Sequence, residues 1–191
     1  KYANQCKPAI ENIKPSRVPE KMQSTGRQYG IGNGSLKYDG QKNNRQKLII
    51  GMVAEMIVYE KLQEDQNIEN VKWVSRYAAR VEPAYSGYNP HGTDGLGYDI
   101  EYTDRTGNKN FVEVKGKADN QNCFEITIPE IEKAKQEKKF YHIIFVTNTL
   151  NEELRRIKYL GNLFMFEEGE DLLNNKRFSA VTKSYEIRFK E

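Results

Sequence analysis

The order of periodic segments in this 191-residue chain predicts an α/β (α+β) domain, a mixed sheet flanked by helices. Three observations carry that reading. An amphipathic stretch surrounds residue 50, two alternating segments meet at a turn near Thr106, and a helix-start signal at Thr127 precedes an apolar run.

The bulk composition sets the frame for those elements. Hydrophobic residues make up 37% of the chain, so the core is modest, and 12 Tyr and 8 Phe supply much of its buryable area. No apolar run approaches the length needed to span a membrane, so none is expected as a partner. The start, "KYANQCKPAIENIKPS", lacks a signal-peptide apolar region. Cys6 and Cys123 form no local framework, so a reducing, cytoplasmic setting is expected. The chain opens on Lys1 rather than Met, which suggests a piece of a longer protein.

Charge is distributed unevenly. Residues 1–50 hold 10 Lys/Arg against 3 Asp/Glu, a balance of +7, while residues 51–191 hold 20 against 24, a balance of −4. Residues 1–43 are rich in Pro, Gly, Asn, Ser and Lys and read as a flexible basic linker or arm. Such an arm can attract a polyanion, or it can be only a solvated tether. The folded domain is expected over 44–191. Within the arm, "YGIGNGSLKYDG" carries Gly30, Gly32 and Gly34. No strand precedes them and no Gly-Lys-Ser/Thr ending follows, so this is a loop rather than a phosphate cradle.

In "RQKLIIGMVAEMIVYEKLQED", Leu48, Ile49, Met52, Val53, Met56 and Ile57 recur at helical spacing. Glu55 projects between Met52 and Tyr59, at the edge of that apolar face. "NVKWVSRY" follows as a short strand with Val71, Trp73 and Ser75 on one side. "AARVEPAYSGYNPHGTDGLG" is a long loop, holding Tyr85, Tyr88 and His91, of the kind that often carries function. "YDIEYT", "DRTGNK" and "NFVEVKG" form a hairpin, and "CFEITIP" reads as another strand. Thr127 and Glu130 make a capping box for a helix over "TIPEIEKAKQEKK", with Pro129 tolerated in its first turn. "YHIIFVTN" is a strand, "NEELRRIKYLG" a helix, "NLFMFEEGEDLL" a short strand with a loop, and "SYEIRFK" a last strand.

The hairpin carries the chemistry. Strand side chains alternate, so Ile100, Tyr102, Val112 and Val114 face a core while Glu113 and Lys115 point the other way. Asp99 shares their parity, and a turn at Thr106 sets it opposite Glu113. The Cβ atoms of residues so opposed lie about 4.5–5.5 Å apart, and two carboxylates placed there repel. A divalent cation relieves that repulsion, and Mg²⁺ favours one or two carboxylates plus waters and substrate phosphate. Lys115 can steer or activate a water, or neutralise charge developing on phosphorus. Glu55 can approach from the first helix as a further metal or water ligand. These are the parts of a phosphodiester hydrolase.

Asp99 after Tyr98, followed by Glu113-Val114-Lys115, resembles the PD-(D/E)xK nuclease superfamily. More narrowly, "GMVAEMIVYEKL", "GYDIEY", "FVEVKG", "FEITIPEIEKA" and "YHIIFV" resemble the domain family named after the C-terminal part of the plant protein NO VEIN. The resemblance spans roughly residues 48–147. It implies a restriction-endonuclease-like fold, metal ligands at Asp99 and Glu113, a catalytic lysine at Lys115 and a helical acid, also catalytic and metal-binding, at Glu55. Tyr98 stands where the superfamily usually has Pro. The family sits at the end of large helicase-like and restriction or defence proteins. That implies a C-terminal effector module working with other domains or subunits.

The scattered His and Cys residues have no zinc-ligand spacing, and Cys123 and His142 form no nucleophilic triad. Two functions remain. One is a Mg²⁺-dependent endonuclease, with Mn²⁺ able to substitute, acting on nucleic acid and on DNA before RNA. The other is a catalytically inactive module on the same fold that binds nucleic acid or a protein. For either, the arm's Lys37, Lys42, Arg45 and Lys47 are its charges nearest the domain. Deleting residues 1–43 is expected to weaken duplex binding and flatten the slope of log K against log salt, measured in a Lys115→Ala background. An unchanged slope would make the arm a tether only.

Overall fold

The computed structural model of the protein describes residues 40–81 and 94–181. The arm before residue 40, Tyr85, Tyr88 and His91 of the long loop, and the expected strand "SYEIRFK" lie outside the described residues. Helix α1 (Gly40–Glu64) starts the described chain and leads to strand β1 (Ile68–Trp73) and a single helical turn, α2 (Ala78–Val81). After a short 3₁₀ turn at Asp94–Leu96 come β2 (Ile100–Asp104), β3 (Lys109–Gly116), α3 (Ile128–Glu137), β4 (Tyr141–Thr147) and β5 (Arg156–Gly161).

The five strands form one sheet in the order β1-β2-β3-β4-β5. Every neighbouring pair is antiparallel except β3–β4, which is parallel and connected through α3. The fold is therefore a mixed sheet with helices on both faces, of restriction-endonuclease-like architecture.

Strand parity divides the core. Ile100, Tyr102, Val112, Val114, Ile144 and Val146 pack under α1, against Ala54, Met56, Val58, Tyr59 and Leu62. Phe111, Tyr141 and Ile143 face the other way and pack with Ala134 of α3 and Phe164. Every residue of α1 from Met52 to Tyr59 is buried, so the middle of the helix is enclosed rather than exposed along one stripe. Gly116 explains how closely α1 lies on β3. A Cβ there would sit 2.9 Å from the Ala54 Cβ and 3.0 Å from the Ile50 carbonyl oxygen. Two small residues in contact let the helix rest on the end of the strand that carries Glu113 and Lys115.

Three expectations change. "NEELRRIKYLG" is no helix. Asn151 Oδ1 accepts the Glu153 and Leu154 N–H groups, making a turn, and residues 156–161 then pair with β4. Ile157 and Tyr159 fall on the α1 side and Leu160 on the other, the alternation of a strand. The edge of β4 left open by β3 needs a partner for its backbone groups, and that need outweighs local helix propensity. "CFEITIP" is no strand, because β2 and β4 already occupy both edges of β3. Its Phe124 and Ile126 pack into the α3-side core. "NLFMFEEGEDLL" also forms no strand: Phe164, Phe166 and Leu172 cover that same core as irregular chain.

One buried polar group belongs to the sheet rather than to the candidate site. His142 Nε2 lies 2.8 Å from Asn110 Oδ1, and its Nδ1 meets the Tyr159 hydroxyl. Burial lowers its pKa from the ordinary 6.5 to about 4, partly opposed by Asp104. The unfolded chain therefore binds more protons than the fold between those two values, so this contribution is complete above pH 6.5 and is lost as pH falls toward 4. A His142→Gln variant is expected to remove a slope worth up to about 3 kcal/mol in all, read as the wild-type-minus-variant difference in urea unfolding across that window. Parallel curves would remove His142 as the cause.

Candidate active site

The hairpin register is the one that parity requires: Ile100 pairs with Val112 and Tyr102 with Asn110. Beyond the Ile100–Val112 pair the Asp99 N–H also reaches the Val112 carbonyl, and the Asp99 carboxyl lies near enough to Glu113 for their charges to interact. At this end the strands part. The Val114 N–H, on the β2 side of β3, is taken not by a backbone carbonyl but by Asp99 Oδ2 at 2.8 Å. The backbone of Asp99 is fixed as well: its N–H donates to the Val112 carbonyl, and its own carbonyl accepts from Val74 and Ser75. The aspartate is held by β3 and by the segment that follows β1.

Glu113 is buried at 4% exposure, two residues from Lys115 on the same side of β3. The Lys115 ammonium lies 2.8 Å from Glu113 Oε1 and 2.6 Å from Glu130 Oε2. Glu130 comes from the first turn of α3, where the expected capping box closes and the Thr127 N–H donates to the same Oε2 at 3.0 Å. Gly97 allows α3 to come this close. Its φ is +74°, and a Cβ would meet the Pro129 carbonyl oxygen at 2.7 Å. The Tyr141 hydroxyl donates to the Gly97 carbonyl at 2.9 Å from beneath.

Glu55 arrives from α1 and is 4% exposed. Its Oε2 accepts from Trp73 Nε1 at 2.7 Å and from the Ser75 hydroxyl. Those partners satisfy a carboxylate that would otherwise be costly at the edge of an apolar core. Glu55, Asp99, Glu113, Lys115 and Glu130 line one open cavity of about 540 Å³, together with Tyr77 and Tyr98. The structure thus brings together all four residues singled out in the sequence.

The electrostatics follow from that crowding. Burial pushes the Asp99 carboxyl well above its usual range, and neighbouring Glu55 pushes it further, against the Val114 hydrogen bond. Burial and the Asp99 charge likewise raise Glu113, against Lys115. For Lys115, burial works against the charged form, but Glu113 and Glu130 outweigh it and its pKa is raised. At neutral pH the lysine is an ammonium. Among the described residues, no group of three or more His, Cys, Asp or Glu stands close enough together to hold a metal ion. Asp99 and Glu113, two mutually repelling carboxyl groups lining the cavity, are the residues that could hold a divalent cation there.

The family model described as Protein NO VEIN, C-terminal, matches residues 54–160. The chain belongs to this family. None of the curated proteins or solved structures compared with it matches. The matched span runs from within α1 into β5 and takes in Glu55, Asp99, Glu113, Lys115 and Glu130. Membership brings a fold linked to the PD-(D/E)xK nucleases. No helix among the described residues is long and apolar enough to cross a membrane.

Sequence reasoning placed Glu130 only in the capping box. Its second role was hidden because nothing local says that the first turn of α3 lies over Lys115. Tyr98, at the position where the superfamily usually has Pro, packs edge-on against Phe111 at 4.8 Å and donates to Glu101 Oε2 at 2.9 Å. The ring anchors the residue before Asp99 by packing rather than by a fixed backbone angle.

Asp99 combines a repelled charge with a structural hydrogen bond, and two substitutions separate them. In chelator at mildly alkaline pH, Asp99→Asn keeps an acceptor for Val114 and loses the charge. It is expected to stabilise the fold by about 1 kcal/mol. Asp99→Ala orphans the Val114 N–H and is expected to cost about 1–3 kcal/mol. Urea unfolding reads both, and two losses of equal size would contradict the buried repulsion.

Proposed function

We propose that this domain is a divalent-metal-dependent nuclease module that hydrolyses phosphodiester bonds, in DNA before RNA. The observation that carries the reading is the convergence of Asp99, Glu113 and Lys115 in one open cavity at the parted end of the hairpin. The chemistry of the donor set agrees with it. Asp99 and Glu113 would hold Mg²⁺, or Mn²⁺ in its place, and Glu55 stands behind Asp99 as a further acid, too engaged with Trp73 and Ser75 to move freely. When bound, such an ion lowers the pKa of a water and polarises the scissile phosphate.

The chain's own residues supply the rest. Lys115, held as an ammonium by two carboxylates, is poorly suited to take a proton from water. It is well suited to meet the negative charge that grows on the phosphoryl oxygens during attack, where a preplaced cation needs no reorganisation. Asp99, pinned by backbone bonds on three sides, fixes the position at which that charge must appear. The basic arm and other domains of a longer parent would deliver the nucleic acid, since the domain itself is net acidic and repels a phosphate backbone at long range. The family resemblance, which implies a place at the end of a large restriction or defence protein, supports the role of an effector within such a parent, in the cytoplasm.

A second reading has its own support. The Lys115 ammonium already neutralises Glu113 without an ion, which is how a non-catalytic module on this fold would keep its site quiet. Supercoiled plasmid and a single-stranded oligonucleotide, incubated with the full chain in Mg²⁺ or Mn²⁺, decide between them. Cleavage is expected with metal and not with chelator. It is expected to drop at least about a hundredfold in Lys115→Ala and Glu113→Gln. Metal-independent cleavage, or cleavage that both variants retain, would defeat the nuclease reading. Binding without cleavage would establish the second.

A further inference from the structure

Lys115 has two carboxylate partners, and only one of them belongs to the hairpin. Glu113 Oε1 is 2.8 Å from the ammonium, and Glu130 Oε2, from the first turn of α3, is closer at 2.6 Å. The lysine side chain is 14% exposed and the Glu130 side chain 15%, so solvent screens this pair less than a surface ion pair. Glu130 is in turn held by the Thr127 N–H, and α3 is fixed above the site by the close approach at Gly97. The second partner is therefore anchored to a rigid helix start.

The arrangement has a consequence once a cation reaches Asp99 and Glu113. An ion on Glu113 repels the ammonium that shares the same carboxylate. With Glu113 alone, Lys115 must either compete with the ion or swing out to solvent. With Glu130, it keeps an anionic partner inside the cavity.

We propose that Glu130 is a positioning residue, a second berth that keeps Lys115 in the cavity when Glu113 turns to a divalent cation. This deepens the nuclease reading and rests on it for the role of the cation. Glu130 acts through Lys115 rather than on the ion. Two variants separate its charge from its helix-capping duty. Glu130→Gln keeps an acceptor for the Thr127 N–H, since Gln also closes a capping box, but it loses the charge. Thr127→Ala loses the cap side chain but keeps the charge.

The test uses the full chain without nucleic acid and Mn²⁺ as the probe, titrated calorimetrically. In Glu130→Gln, Lys115 is left with Glu113 alone, and Mn²⁺ affinity is expected to fall about fivefold or more. Lys115→Met removes the competitor, so affinity is expected to rise. In the Lys115→Met background the Glu130→Gln effect is expected to shrink to nearly nothing. Thr127→Ala is expected to leave affinity close to wild type while lowering stability. An undiminished Glu130→Gln effect in the Lys115→Met background would overturn the proposal, because Glu130 would then act on the ion directly. A loss of affinity in Thr127→Ala as large as in Glu130→Gln would overturn it too, assigning the effect to the helix.

A metal-free arm keeps this apart from the nuclease reading. Urea unfolding in chelator gives the Lys115–Glu130 coupling from the same variants, expected as about a fivefold or larger non-additive change in the unfolding constant. Wild-type protein that takes up no Mn²⁺ yet shows this coupling would defeat the nuclease reading and leave Glu130 as the partner that positions Lys115. Absence of the coupling would defeat the proposal whether or not the metal binds.

Discussion

Two carboxyl groups held near each other in a buried place must be compensated, and much of this domain can be understood from how that is done. Asp99 and Glu113 are brought together by hairpin register, which the fold cannot alter without turning the whole hydrophobic set of β2 and β3 toward solvent. Their repulsion and their loss of water are both costly. The structure answers with a lysine two residues along β3 and a backbone N–H at Val114. A third acid, Glu130, shares the lysine. The two compensating groups come from the same strand, one from a side chain and one from the backbone, while Glu130 of the next helix adds negative charge of its own and holds the lysine.

That constraint accounts for the small residues around the site. Gly116 lets α1 lie on the end of β3, which carries Glu55 toward Asp99 from the far face of the sheet. Gly97, at positive φ, lets the first turn of α3 approach from the near face. A Cβ at either glycine would collide with backbone oxygen at about 3 Å or less. The same two contacts close the two halves of the core, so packing and site geometry are set by the same steric facts. His142, satisfied by Asn110 and Tyr159, is the counter-example: a buried titratable group whose partners make it part of the sheet, away from the cavity.

The hairpin was legible because its signals are local. Alternation, a turn at Asp104–Asn108 and the position of Asp99 gave the register directly, and the structure pairs Ile100 with Val112 as that register requires. The capping box at Thr127 and Glu130 was legible for the same reason. The misread segments share a different cause. Whether residues 123–129 or 156–161 form a strand depends on which sheet edge is vacant, and a vacant edge is a property of the assembled sheet. "NEELRRIKYLG" has the charges and apolar spacing of a surface helix, yet β4 offers it an edge. "CFEITIP" alternates well, but β3, the strand it follows, already has partners on both edges.

What the sequence determined by itself was the content of the site: an acid before the hairpin, an acid and a lysine two apart on its return strand, and an acid on the apolar edge of a helix. Period-two and period-3.6 patterns fix which side of an element a residue occupies, and that follows from covalent geometry. Tertiary structure alone decided how the elements meet. It set α1 and α3 on opposite faces at the same end of β3, placed Glu55 on Trp73 and Ser75, and delivered Glu130 to Lys115. Those meetings depend on contacts between residues far apart in the chain, through Gly97, Gly116 and the parallel pairing of β3 with β4. No local pattern encodes such distances, because they exist only once the layers have packed.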